Sequence, residues 1–384
     1  PFSQFRSPFH LLSQLMTTGL HEIPGLAKLP DPRARRGIRH PLAHILVIII
    51  CAVIAGAKTL IEIAEWAKDV APQQLAGYGI AAPHATTIAR VLQRLDIQTF
   101  ELLLADWTQN LRAGTNASKT IKAIAVDGKE VRGAKNGKGT RVHLLSAIDQ
   151  GTHAVLSQVG VGIKTNEITQ FTNLLDHVVE LKGAVVTADA LHTQKGHAKY
   201  LHERESHYIF TVKGNQARLL AELEQLPWDD VPAGNRTTQT QNGRRTIRTV
   251  KCATVTTGMS FPHAAQAMQI MRKSRPLGAT KWHIEIEHAL TSLPTHLAGP
   301  GELGAWIQGH WAIENGLHWR RDVTWQEDKS QVRVGNSPHV MATLRNIAIT
   351  LLKNLGYTNL AKATRKLRNH PDRVLSLIGL GTSR

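Results

Sequence analysis

The sequence predicts an α/β fold: a mixed β-sheet with flanking helices, a helical N-terminal region and a β-strand insertion. Three observations lead there. Residues 122–214 read as three strands, helix, strand, helix, strand, which is a mixed layer and not a simple βαβ repeat. Residues 1–115 carry helical patterns. Residues 228–298 return to period-two alternation before a helical run resumes at 300–321.

In order, residues 1–30 are expected to be short helical structure, and "DPRARRGIRHP" (31–41) a basic loop closed by prolines. "LAHILVIIICAVIAGA" (42–57) raises the question of a membrane span. It is short for one, contains His44 and runs into Lys58, so a buried core helix is expected. Helices follow at 59–69 and 84–95, the latter starting near Thr86 and Thr87 after a turn at Pro83. Ile88, Val91, Leu92 and Leu95 fall on one face, with Arg90 and Arg94 off it. Two readings fit: a helix-turn-helix whose arginines touch DNA, or a plain bundle with a solvated basic face.

A small, polar linker, "AGTNASKT" (113–120), leads to strands at 122–133, 141–149 and 154–162. A helix at 166–181, a strand at 183–191, a helix at 195–205 and a strand at 207–214 come next. From 338 onward the chain is helical and basic. The expected division is an N-terminal helical, DNA-binding domain (1–115), a core (116–227), the insertion (228–298), the returning core helix (299–335) and basic C-terminal helices (336–384).

The 384 residues carry a net charge of +17, with pI near 10.1. That imbalance points to a polyanionic partner, nucleic acid before an anionic membrane surface. Two cysteines, Cys51 and Cys252, with no C-x-x-C pair, argue against a disulfide framework or a cysteine zinc site and fit a reducing cytoplasm. No secretory signal is expected.

The chemistry gathers at three acids. Asp127 ends the apolar run "AIAV" and Asp189 ends "AVVTA". Carboxylates at the ends of buried strands sit at the rim where sites form, although a lone aspartate there often just caps a turn. The third acid is Glu314 in "GHWAIENGLHW" (309–319), where helical spacing puts His310, Glu314 and His318 on one face, with Arg321 close to it. Three carboxylates on adjacent elements repel unless cations neutralise them. Hard cations such as Mg²⁺ take oxygen ligands, and two of them could activate a water or a 3′-hydroxyl and stabilise the leaving oxygen on phosphorus. His310, His318 and Arg321 would then flank the site as phosphate-binding groups. A histidine–glutamate–histidine zinc face is a rival, but it leaves Asp127 and Asp189 without a role. A structural reading, with hydrogen-bonded histidines and core tryptophans, does not explain the clustering.

Taken together, "DPRARRGIRHPLAHILVIIICAVIAGAKTLIEIAEWA", "AVDGKEVRGA", "TADALHTQ", "FTVKGNQ", "HWAIENGLHWRRDVTWQED" and "LRNIAITLLK" span roughly 30–353. In this order they resemble a bacterial insertion-sequence transposase with an Asp–Asp–Glu triad, of the H-repeat-associated type. The resemblance implies an RNase H-like catalytic domain, a β-strand insertion between the second and third acids, and Mg²⁺-dependent DNA cleavage and joining, with Asp127, Asp189 and Glu314 as triad and metal ligands. Two Mg²⁺ ions are expected, replaceable by Mn²⁺, and no small-molecule cofactor. The partners are double-stranded DNA (transposon ends and target) and a second copy in a homodimer; no membrane is involved, and the setting is the bacterial cytoplasm at the nucleoid. Related transposases carry a Tyr–Arg–Glu–Lys signature around the glutamate; here Ile307, His310 and Arg321 stand at its other three positions. Two alternatives stay open: a structure-specific nuclease on the same fold, and a domesticated, non-transposing DNA-binding regulator.

Further DNA contacts are expected from Lys129 and Arg132, and from Lys135 and Lys138 around a hairpin turn at Asn136-Gly137. The Walker spacing fails there, because Lys138 stands five residues after Gly133. "KGNQ" offers Lys213, Asn215 and Gln216 to the same rim, unless it is a capped helix start. Trp306 or Trp311 is the aromatic most suited to stack on a flipped base, although most such side chains lie in cores. Glu327 and Asp328, past the helix, rank below Glu314.

Overall fold

The computed structural model describes Leu26 and residues 29–36, 38–113, 121–135, 141–162, 165–255 and 259–380. Much of the expected N-terminal helical stretch, residues 114–120 of the expected linker, and the Asn136-Gly137 turn with Lys138 lie outside the described residues, while Ala113 ends a helix.

The helices begin with α1 (Leu42–Ile54), in which eleven of thirteen residues are buried. It is apolar all round because helices surround it, the condition of a core helix. No helix among the described residues is long and apolar enough to cross a membrane. Next come α2 (Leu60–Glu65), capped by the Thr59 side chain, a π turn at Trp66–Val70, α3 (Pro72–Ala76), α4 (Ala85–Arg94) and α5 (Ile97–Ala113). On α4 and just after it, Ile88, Val91, Leu92 and Leu95 are fully buried, while Arg90 and Arg94 are exposed, as the periodicity requires.

The strands are β1 (Ala123–Lys135), β2 (Arg141–Asp149), β3 (Val155–Val161), β4 (Val185–Ala188), β5 (His207–Val212), β6 (Asn235–Gln241), β7 (Arg244–Thr254), β8 (Gln266–Pro276) and β9 (His283–Thr291). Between them lie α6 (Glu167–Asp176), α7 (Lys195–Glu203) and α8 (Ala217–Glu224). All nine strands form one mixed sheet, in the order β3-β2-β1-β4-β5-β9-β8-β7-β6. β1 is antiparallel to β2 and parallel to β4, and β4 is parallel to β5. Strands β6–β9 extend the sheet of β1–β5 directly, because β9 pairs antiparallel with β5 from Ile209↔Thr291 to Val212↔His288.

Alternation sorts the sheet into two faces. Ile124, Val126, Val186 and Phe210 pack beneath α6–α8. Ala123, Val185, Ile209, Val250 and Met268 face the other way, against α9 (Pro300–Ile313). Ala125, Ile148 and Val155 on that second side join the core of α1, α4 and α11 (Ser337–Asn354). The helical run expected at 300–321 is α9, a π turn at Glu314–His318, then α10 (Trp319–Thr324). α12 (Leu360–Leu367) and α13 (Pro371–Leu377) complete the chain's basic end.

Candidate active site

Val126 of β1 lies opposite Ala188 of β4. Each is followed by an aspartate, so Asp127 and Asp189 stand side by side, about 5 Å apart by strand spacing. Both share the face of Ala123, Ala125, Val185 and Thr187, which is the face α9 covers. β4 ends at Ala188. Asp189 Oδ1 then accepts from Leu191 N at 3.0 Å, capping a 3₁₀ turn, so the capping role foreseen for a lone aspartate is also filled here.

α9 is fixed over these acids by close packing. His310 Nδ1 meets Thr187 Oγ1 at 3.1 Å, and Gln150 Nε2 donates to that hydroxyl at 2.8 Å. Gly309 permits the approach, since a Cβ there would lie 2.1 Å from Gln150 Oε1. The π turn follows at once and presents Glu314 at the surface. Such turns are rare and concentrate at functional sites. Burial together with the charges of Asp127 and Asp189 holds the Glu314 carboxyl above the usual carboxylate range, against the opposing pull of His318 and Lys213. The three acids therefore share one electrostatic field. The counter-cations are weak: Lys213 also meets Glu287 at 3.7 Å, and burial pushes His310 down towards its neutral form.

A set of three carboxylates suits a hard divalent cation by donor type and has charge to be neutralised. Among the described residues, no group of three or more His, Cys, Asp or Glu side chains is gathered closely enough to hold an ion.

Several expected DNA contacts have other partners. Arg321 is fully buried, donating from Nε to Glu327 Oε2 at 2.8 Å. The π turn explains the misplacement: one extra residue rotates the succeeding positions by about 100°, so Arg321 turns from the Glu314 face into the core. Lys129 is buried in β1 and paired to Asp322 at 2.6 Å. His318 is buried with Nδ1 3.4 Å from Asp127 Oδ2, so it addresses the acid and not solvent. Asn215 Nδ2 donates to Ala190 O at 2.6 Å and Gln216 Nε2 to Thr193 O at 2.9 Å. Both amides thus clamp the segment after Asp189, and neither caps the helix. Trp306 is partly buried against the Val250–Leu303 cluster. Arg132, Lys213 and Trp311 remain exposed. Lys135 ends β1 with its side chain outside the described residues, as is Lys138.

Sequence reasoning missed Glu167, in the first turn of α6. Its carboxylate meets His143 Nε2 at 2.7 Å and His192 Nε2 at 3.3 Å. Burial pushes this carboxyl up, but the two imidazoles outweigh it and bring it to about 2. It lies over Gly128, beside Asp127, where a Cβ would come within 2.3 Å of Glu167 Oε1. The glycine after the acid and the Asn166-Glu167 helix start were the available signals.

Residues 118–351, well over half of the chain, match the family model described as Transposase DDE domain. The chain belongs to that family. Residues 24–108 match the model described as DDE_Tnp_1-associated. Among relatives of this DDE family member, "Putative transposase YncI" of Escherichia coli O157:H7 is 30% identical over 348 residues, 86% of each chain. "H repeat-associated putative transposase YhhI" of Escherichia coli K12 is 27% identical over 85% of this chain and 88% of its own. The piggyBac transposase synaptic complex with hairpin DNA, solved by cryo-EM, aligns with 96% of this chain and 80% of its own at 12% identity and a loose TM-score of 0.43.

Proposed function

We propose that this chain binds the terminal inverted repeats of an insertion sequence, pairs two ends as a homodimer, cleaves phosphodiester bonds and joins 3′-hydroxyls to target DNA. The observation that supports the reading is that Asp127 and Asp189 each directly follow the register pair Val126↔Ala188, and that both charges act on Glu314. The run β3-β2-β1-β4-β5, antiparallel then parallel, supports an RNase H-like core, with β6–β9 as its insertion and the N-terminal helices as a DNA-binding domain. Exposed Arg90 and Arg94 support that last role.

Asp127, Asp189 and Glu314 would hold Mg²⁺ or Mn²⁺, which when bound supplies Lewis-acid activation of the attacking oxygen and stabilisation of the leaving oxygen. The chain's own residues do the positioning. His310 and Thr187 hold α9 on the sheet, His318 faces Asp127, and Asn215 and Gln216 fix the Asp189 segment. Arg132, Lys213 and Trp311 are exposed to meet DNA.

The test incubates the purified protein with duplexes carrying the element's own ends and Mg²⁺ or Mn²⁺, scoring nicking and joining separately. End-specific nicking and joining are expected. Cutting without joining or end preference would replace the reading by a structure-specific nuclease, and binding without cutting by a regulator.

A further inference from the structure

We propose that the outer end of the sheet, on the face carrying α9 and centred on Arg244 and Arg248 of β7, binds the sugar–phosphate backbone of duplex DNA. The choice of DNA as the polyanion rests on the transposase reading; the surface itself is read from register and charge.

Direct cross-strand partners point to the same face. Arg244 and Arg248 therefore share a face with Gln241 and Thr237 of β6 and with Arg272 of β8. It is the α9 face, because Val250, two residues beyond Arg248, is buried beneath Gly304 of α9, where a Cβ would lie 3.0 Å from its Cγ2. Past that point the strands run out uncovered, and β6 is exposed along nearly its whole length. As the last strand of the sheet, β6 also offers free backbone N–H groups along its edge.

The charge on this face is unbalanced. Arg272 is paired with Glu285 on β9. Among the described residues, neither Arg244 nor Arg248 has an ion pair with an acid. Burial and the neighbouring Arg272 both act against the charge of Arg248. Like charges directly opposite in a sheet cost stability, and an external row of anions removes that cost. Around the two arginines the face carries Thr237, Gln239 and Gln241 of β6 and Thr246 of β7, neutral donors that commonly accompany arginine on phosphates; its acids, Glu285 and Glu287, stand on β9, where Arg272 and Lys213 pair with them. It has no exposed apolar anchor. The opposite face does, with Ile284 and Ile286 half exposed, so a hydrophobic partner would choose that side.

Scale agrees with a nucleic-acid backbone. Arg244 and Arg248 are four residues apart, about 14 Å along a strand, the axial rise of about four phosphates of one DNA strand. Positive φ at both Asn242 and Gly243 (50° and 71°) closes β6 on β7 by a tight turn, which keeps this end of the sheet short.

The test measures equilibrium binding of the full chain to labelled duplexes, one with the element's end sequence and one unrelated, across a salt series. R244Q/R248Q is expected to lower the slope of log affinity against log salt by about 1.8 on both duplexes. R245Q/K273Q removes the same charge from the other face and is expected to keep the wild-type slope. An unchanged slope for the first pair, or equal loss from both pairs, overturns the proposal. Should R244Q/R248Q fail to fold by thermal melting, R244Q alone is expected to lower the slope by about 0.9, and no change there overturns it equally. Cleavage is scored in parallel. Failure to cleave with these slopes intact defeats the transposase reading alone; a cleaving protein with an unchanged R244Q/R248Q slope defeats only this one.

Discussion

Arg321 and Glu327 form an ion pair from which solvent is excluded, both side chains being 0% exposed and 2.6 Å apart. Arg345 Nη1 donates to the other Glu327 oxygen at 2.8 Å, so one carboxylate serves two buried guanidiniums. Burial alone would raise the Glu327 carboxyl; the two arginines bring it below its ordinary value. Glu327→Gln leaves both cations without a counter-charge and is expected to destabilise the fold by about 3–5 kcal/mol, read as a fall in denaturant midpoint. Arg321→Ala should also lose stability, while the salt slope of DNA binding stays at the wild-type value. A flatter slope would return Arg321 to the DNA surface.

The three acids can be separated by charge. Asp127→Asn, Asp189→Asn and Glu314→Gln are each expected to reduce cleavage below detection with DNA binding retained. Glu314 is a raised acid, so the folded state binds its proton more tightly than the unfolded one. Stability then falls as pH rises from the ordinary carboxylate value through the raised one. Glu314→Gln removes that penalty, so without divalent ions the variant should melt above wild type at pH 7, with no gap below the carboxylate range. Adding Mg²⁺ should close the gap by stabilising wild type alone. Equal melting at every pH would remove Glu314 from the shared field.

Arg90 and Arg94 are exposed on α4, clear of its buried face. Replacing both by alanine should flatten the salt dependence of DNA binding by about 1.8 and shift stability by no more than about 0.5 kcal/mol. An identical slope would place the N-terminal helices away from DNA.

The Glu167–His143 contact has its own pH signature. Glu167 is held down at about 2, so its share of stability is full above the ordinary carboxylate value and lost as pH falls towards about 2. His143 is raised, chiefly by Glu167, so its share is full below the ordinary imidazole value and lost as pH rises through the raised one. The stability gap between wild type and His143→Gln should therefore be widest near about pH 5.5 and shrink on both sides. A gap that is flat with pH would mean the imidazole is not charged in the folded protein.

Much of this architecture is legible in the chain. "RVHLLSAID" is β2 residue for residue, because alternation and β-branched residues state the pleat directly. The helix-bounded order of β1–β5 follows the same logic, as does Asp189 at the end of β4; Asp127, expected at a strand end, lies inside β1, which runs on to Lys135 by pairing with β2. What stayed hidden depends on partners distant in sequence. Lys129 reads as a free cation until Asp322 arrives from 193 positions away. The attachment of β9 to β5 is a long-range pairing that no local pattern encodes. The π turn at Glu314–His318 looks like ordinary helix by composition, yet it shifts the face on which Arg321 falls, and Glu327 meets the guanidinium in the core.

The β5–β9 ladder has a mechanical consequence. Four residue pairs knit the outer strands to the strand beside β4. The outer strands and the strands that carry the two aspartates are thus one hydrogen-bonded sheet, so a shift of the outer strands as a unit would have to break or carry along the backbone bonds of β5.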